Sequence, residues 1–485
     1  MKVTVRNLGV IEEANIDLRP LTIFIGPNNA GKTWLAYFLA GVFGAYGFRE
    51  YLSAYEDGEV PKAYVLLNEA VEQFLNNRSA TIDLVQFVEE YGEIYFNNVA
   101  QLVQQHLPEF MSTQEEAFQD VEISIELAET KADLMERILN SSLKIEVPSE
   151  KPVVTIRKNR GEKKLYVFTA DYSSSEDSLE EKIADQLPLN ALGDFLVRAV
   201  FSTVHHALYP QVYVLPTERT TFITLPFNKR GLSRGGITIQ RTSQQERVIK
   251  PMIGPVNYFL SMMQEIFEYA TQRKGQREKM AKNNSKIRKY IQYAQLLEKQ
   301  TLAGEVKVSH KDFALSQENS SSEPDFEREI MFQPTKNSKL EIAIASSMVK
   351  ELSPLVLYLR YLAKPGELLI IDEPEMNLHP EAQAKLVELL AMLVNAGLNI
   401  LITTHSPYVL DHLTNLIKAA EVNDKESIRS KFFLKRTDAF ISQNKVSVYM
   451  VDQGHAEKAL DEDGVIQWNT FGQVSDRISE IYFTL

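Results

Sequence analysis

The sequence predicts an α/β protein, a mixed β-sheet core flanked by helices, with an antiparallel β lobe and a helical insertion. Three observations predict it. Apolar runs at 21–25, 368–371 and 400–404 have the length and composition of buried strands, and helical patterns separate them. Period-two segments flank a turn at Asn159-Arg160-Gly161, which is a hairpin signal. Between 257 and 300 the apolar spacing is helical, with Phe259, Met263, Ile266 and Ala270 on one face.

Residues 1–45 read as strand, turn, strand, loop, helix. Val3, Val5 and Leu8 mark the first strand, Ile16 and Leu18 lie across the turn, and 21–25 ends at Gly26. A helix runs from Lys32 towards Phe43. Residues 50–140 look mainly helical, with apolar spacing such as Leu66, Val71, Phe74 and Leu75. Alternation then takes over at Leu143, Ile145 and Val147, at 153–156 and at 165–168. Polar stretches at 171–182, 228–245 and 316–326 read as loops. Val212-Tyr213-Val214-Leu215 is a strand ending at Pro216, with Glu218-Arg219 a candidate site edge. Gly275 and Asn283-Asn284 interrupt the helical segment, which suits a short arm or hairpin. From Leu340 onward helices and apolar strands alternate, as in a sheet covered on both faces.

Composition narrows the class. At 485 residues with 44% hydrophobic and 24% charged content, the chain can bury a large core like an ordinary soluble protein. The absence of cysteine excludes disulfides, cysteine-ligated zinc and iron–sulfur clusters. No charged leader precedes an apolar run, and the longest apolar stretch is broken by Glu388, Asn395 and Asn399. A cytoplasmic protein with no membrane span is expected. The net charge of −13 argues against a generally basic nucleic-acid coat. Basic residues do concentrate between Arg273 and Lys289 and between Arg157 and Lys164, where DNA or another polyanion could bind locally.

Three strand ends carry the chemistry. Gly26-Pro27-Asn28-Asn29-Ala30-Gly31-Lys32-Thr33 has the G-x-x-x-x-G-K-[ST] spacing. Its glycines let backbone N–H groups turn towards phosphates, and the helix that follows offers its positive end. Lys32 can reach the β- and γ-phosphates of ATP, and Thr33 can ligate Mg²⁺. The strand 368–371 ends in Asp372-Glu373. Two acids at the end of a buried strand are costly unless a cation or water uses them. Asp372 is assigned to the metal and Glu373 to the general base. The strand 400–404 runs into His405, which can sense or polarise the γ-phosphate.

In this order, with Ser346-Ser347 before the acidic strand and Asn377-Leu378-His379-Pro380 after it, the motifs resemble those of ABC-type ATPases. Asp372-Glu373-Pro374-Glu375 followed by Leu378-His379-Pro380 resembles more closely the OLD-like and SMC/RecF-like prokaryotic class. The resemblance covers about 1–45 and 340–415. It implies an ATPase head split in sequence, with 1–256 and 301–485 joined in space and 257–300 inserted as a helical arm. It also implies a homodimer, or a higher oligomer, in which Ser346, Ser347 and Lys350 touch the γ-phosphate held by the other subunit's loop. Met348 stands where many relatives carry glycine. OLD nucleases add a metal-dependent TOPRIM domain, for which the stretch after His405 shows no motif, so no intrinsic nuclease is expected. Asp461, Glu462 and Asp463 read as surface. By analogy such heads serve a separate effector in antiviral defence, as in PARIS or Septu systems. The alternative is a DNA-binding RecF/SMC-like ATPase of repair or chromosome maintenance.

Overall fold

The computed structural model describes residues 1–114, 118, 120–128, 130–146, 154–169, 189–224, 254–271, 273, 275–311, 327–467, 477 and 480–482. The loops expected at 171–182, 228–245 and 316–326 lie outside the described residues, as does Lys274 of the basic run. The chain forms two compact units. One comprises 1–6, 41–106 and 120–211, and the other 7–40, 107–119 and 212–485.

The second unit holds the predicted sheet. Its strands are β1 (Ile11–Asp17), β2 (Leu21–Ile25), β3 (Val212–Leu215), β4 (Leu368–Asp372), β5 (Asn399–Thr404), β6 (Val446–Asp452) and β7 (His455–Lys458). They lie in the order β1-β7-β6-β2-β5-β4-β3. From β6 to β3 all neighbours are parallel, whereas β7 returns antiparallel beside β6, so the sheet is mixed. Every residue of β2 and β4 is buried. Successive side chains point to opposite faces, so both faces are covered.

Helices Gly254–Thr271, Ser285–Leu297, Ser347–Tyr361, Pro380–Asn395 and Pro407–Glu421 contribute to one core with these strands. Phe259, Met263 and Ile266 of the first, and Tyr290 and Ala294 of the second, are buried in that core. The segment expected as an arm is therefore packed into the body. The expected apolar face at Phe259, Met263 and Ile266 is a core face, which is what amphipathic helices ordinarily do with one. A three-stranded antiparallel sheet of Glu305–Lys311, Glu327–Thr335 and Ser338–Glu341 leads to the helix Ser347–Tyr361. Alternation at Val306 and Val308 and at Ile330 and Phe332 signals it in sequence, but it was not among the expected strands.

The first unit carries the antiparallel lobe. Its four strands run in the order Ser79–Asp83, Lys164–Thr169, Val154–Lys158, Leu143–Glu146. The last three are the expected period-two segments, the middle two strands of the sheet forming the hairpin, while Val147 and Val153 lie outside the described residues. The edge strand Ser79–Asp83 falls in a region read as helical. A buried aromatic cluster around Tyr51, Tyr64, Tyr95 and Phe201 fills the same unit. Among the described residues no helix is long and apolar enough to cross a membrane.

Candidate functional site

Because β2, β4 and β5 are parallel neighbours, their carboxyl ends share one edge. That places the phosphate loop, Asp372-Glu373 and His405 side by side. Two loop glycines are required sterically. Gly26 has φ +141, and a Cβ there would lie 2.0 Å from the Val451 carbonyl oxygen. Gly31 has φ +98, and its Cβ would lie 2.5 Å from Ile11 Cδ1. Asn28, Asn29, Gly31, Lys32, Thr33, Glu373 and His405, with Val10 and Trp34, line a cleft of about 700 Å³. Pro27 is exposed beside it and Ala30 half-buried.

Lys32 is buried, and its Nζ donates to the carbonyls of Gly26 (3.1 Å) and Pro27 (2.7 Å). Burial lowers its pKa, against the opposing pull of Glu373, Asp372 and Glu375. Thr33 Oγ1 lies 3.1 and 3.2 Å from the two carboxylate oxygens of Asp372. Tyr37 also donates to Asp372, at 3.1 Å, and Thr403 donates to the same carboxylate. Burial raises the Asp372 pKa, and the three hydroxyl donors counteract it. Thr403 Oγ1 in turn accepts from the Glu373 N–H at 3.0 Å.

Glu373 sits at φ +47, a left-handed conformation uncommon outside glycine. Its Oε1 meets His405 Nε2 at 2.9 Å. The His405 hydrogen bond holds the Glu373 carboxyl below its ordinary range, against partial burial. His405 is thus a partner of the assigned base, a contact that sequence alone did not indicate. Glu375 supports it from behind: its Oε1 accepts from Thr404 Oγ1 (2.5 Å) and from the His405 N–H (2.8 Å). Burial raises the Glu375 pKa.

Of the candidate site edge Glu218-Arg219, Glu218 is exposed and Arg219 turns inward. Arg219 is buried, is ion-paired with buried Glu351, and donates to three carbonyls at this strand edge. Ser346 caps the helix Ser347–Tyr361 by accepting from the Val349 N–H at 3.4 Å. Ser346 and Ser347 are exposed, Lys350 is half-buried, and Ile344 beside them is 70% exposed. None of the three lines the cleft. His379 caps the helix Pro380–Asn395, accepting from the Glu381 N–H at 3.5 Å.

The basic runs are partly structural. Arg277 is buried and donates to the carbonyls of Leu359, Arg360, Leu362 and Ala363 at the end of the helix Ser347–Tyr361. In the other run Lys158 is buried and donates to the carbonyls of Leu139, Ser141 and Asn159. Lys279, Lys282, Lys286 and Lys289 are exposed.

Two families match parts of the chain. One, described as "AAA ATPase domain", matches residues 1–188 and so includes the phosphate loop. The other, described as "AAA domain, putative AbiEii toxin, Type IV TA system", matches residues 232–411 and so includes Asp372, Glu373 and His405. With the cleft geometry, these matches support an AAA-type ATPase domain with a phosphate-loop nucleotide site. No curated protein matches the chain. Among solved structures, the chain is similar to an Smc head bound to the C-terminal winged-helix domain of ScpA, at 11% identity and TM-score 0.35, over 94% of this chain and 95% of that one. It is similar to the SMC head domain from Thermotoga maritima, at 11% identity and TM-score 0.29, over 94% and 97%. It is also similar to the recombination mediator RecF, at 8% identity and TM-score 0.32, over 94% and 97%.

Proposed function

We propose that this chain is a Mg²⁺-dependent ATPase of the ABC type, OLD-like, that closes as a homodimer on ATP and through closure controls a separate effector protein in prokaryotic antiviral defence. One observation carries the hydrolytic part: Lys32, Thr33, Glu373 and His405 line a single cleft, with Asp372 bonded to Thr33 at its wall. The loop N–H groups and Lys32 hold the β- and γ-phosphates. Thr33 and Asp372 bring a hydroxyl and a carboxylate together, an oxygen donor pair of the kind that would hold Mg²⁺. Bound there, the ion supplies neutralising charge at the phosphate oxygens. Glu373, whose carboxyl the His405 hydrogen bond holds low, would take the proton of the water whose oxygen bonds to the γ-phosphorus, while the bond from that phosphorus to the bridging oxygen breaks and ADP departs with the electron pair.

The dimer rests on the exposed serine-capped helix end. Ser346, Ser347 and Lys350, standing outside the chain's own cleft, would reach the γ-phosphate of the facing copy. The effector and the cytoplasmic setting rest on the resemblance of the motifs and on the matched description that names a toxin–antitoxin system. Turnover of Mg-ATP tests the core of the reading. Glu373→Gln is expected to bind ATP and to turn over at least about 100-fold more slowly. An unchanged rate in that variant would remove the assigned base.

The RecF/SMC-like reading draws on the exposed Lys279, Lys282, Lys286 and Lys289. It requires DNA affinity that falls steeply with salt, with a slope that shrinks when Lys279, Lys282 and Lys286 are neutralised. Salt-insensitive or absent DNA binding rejects it.

A further inference from the structure

Arg219 occupies an unusual position for a charged side chain. It is 1% exposed, and its ion-pair partner Glu351 is fully buried. Nη1 donates to the carbonyls of Pro216 (2.8 Å) and Asp372 (2.7 Å), and Nη2 to the carbonyl of Glu373 (2.8 Å). The guanidinium therefore grips the two peptides that flank Glu373, through the Asp372 carbonyl on one side and the Glu373 carbonyl on the other. Glu373 is the residue held at φ +47. Just beyond it Asn377, also left-handed at φ +59, donates from Nδ2 to Glu351 Oε2 at 3.4 Å. Glu351 belongs to the helix Ser347–Tyr361, one turn from its exposed N-terminus. Burying such a pair costs desolvation that apolar packing would avoid, so stability alone does not account for it. A planar fork with several fixed donors can span separate carbonyls, which a lysine ammonium does not reproduce.

We propose that Arg219 is a positioning residue for Glu373: it fixes the left-handed Glu373 backbone so that the carboxylate meets His405, and through Glu351 it ties that geometry to the helix Ser347–Tyr361. The inference rests on the proposed role of Glu373 in ATP hydrolysis. Movement of that helix would then reach the base through one buried ion pair, giving the exposed serine end a route to the chemistry within the same chain.

The test uses Arg219→Lys and the double variant Arg219→Met with Glu351→Met. The double variant leaves no unpaired buried charge and so keeps the fold within reach. The first readout needs no nucleotide. In histidine-labelled protein, the Nε2–H signal of His405, assigned by its loss in His405→Gln, reports the bond to Glu373. It is expected in the native chain, absent in the double variant and weakened in Arg219→Lys. The second readout is ATP turnover, with kcat expected to fall on the order of 100-fold in the double variant while ATP affinity stays within about twofold. A folded double variant that keeps the His405 signal overturns the proposal. If the native chain fails to hydrolyse ATP, the ATPase reading falls, yet the His405 signal still decides whether Arg219 sets the Glu373 geometry.

Discussion

At the residue scale, the site depends on hydroxyls as much as on charges. Thr403 donates to Asp372 and accepts from the Glu373 N–H, so one buried side chain fixes both acids. Thr403→Val keeps the shape and removes both bonds. We expect it to cost about 1–3 kcal/mol in urea denaturation and to slow turnover, because a buried N–H loses its acceptor. His405→Gln has a different signature. The His405 hydrogen bond depresses the Glu373 pKa, so its loss returns the carboxyl towards the ordinary range. The acid limb of the turnover profile should move to higher pH, and an unmoved limb would detach His405 from the base. Lys32 and Thr33 were legible from the G-x-x-x-x-G-K-[ST] spacing, and Asp372, Glu373 and His405 because they end or follow a short apolar run. Tyr37 and Thr403 were not, since an aromatic within an apolar helix and a threonine within an apolar strand carry no mark. Their partner, Asp372, is 335 and 31 residues away.

At the element scale, the helix Ser347–Tyr361 is held at both ends. Ser346 caps its start, and Arg277 satisfies the carbonyls at its finish. Arg277→Met should destabilise the protein by about 2–4 kcal/mol in denaturant, while leaving any salt slope of DNA binding unaltered. The sequence showed a basic run here. It could not show which member turns inward, because that depends on four carbonyls some 80 residues on. In the antiparallel unit, His205 Nε2 lies 3.2 Å from the Phe43 carbonyl oxygen, and Nδ1 lies 3.2 Å from the Tyr95 hydroxyl. Burial, with His206 beside it, pushes the His205 pKa down from 6.5 to about 3. The folded state thus keeps this imidazole neutral while the unfolded chain protonates it near 6.5. Its share of stability is full above 6.5 and is lost as pH falls from there towards about 3. A neutral His205→Gln variant should show a shallower loss of stability over that window in denaturation at stepped pH. The edge strand Ser79–Asp83 was missed because its alternation is brief and helices lie on either side.

At the scale of the whole molecule, the predicted α/β class is present, and the mixed sheet carries the site at its parallel carboxyl edge. That much was legible because buried parallel strands leave near-continuous apolar runs. The packing of 257–300 was not, because an amphipathic helix looks the same in sequence whatever it packs against. We propose that ATP is hydrolysed between two copies, the phosphate loop of one facing the serine end of the other. Mixing two inert variants separates this from hydrolysis within one chain. Lys32→Ala spoils the phosphate loop and leaves the serine end intact, while Ser347→Arg does the reverse. Each variant alone should be inactive, and the mixture should recover up to about a quarter of native turnover, since half the dimers would hold one complete site. Native turnover by Ser347→Arg alone, or no recovery from a mixture shown by mass to form mixed dimers, would contradict it.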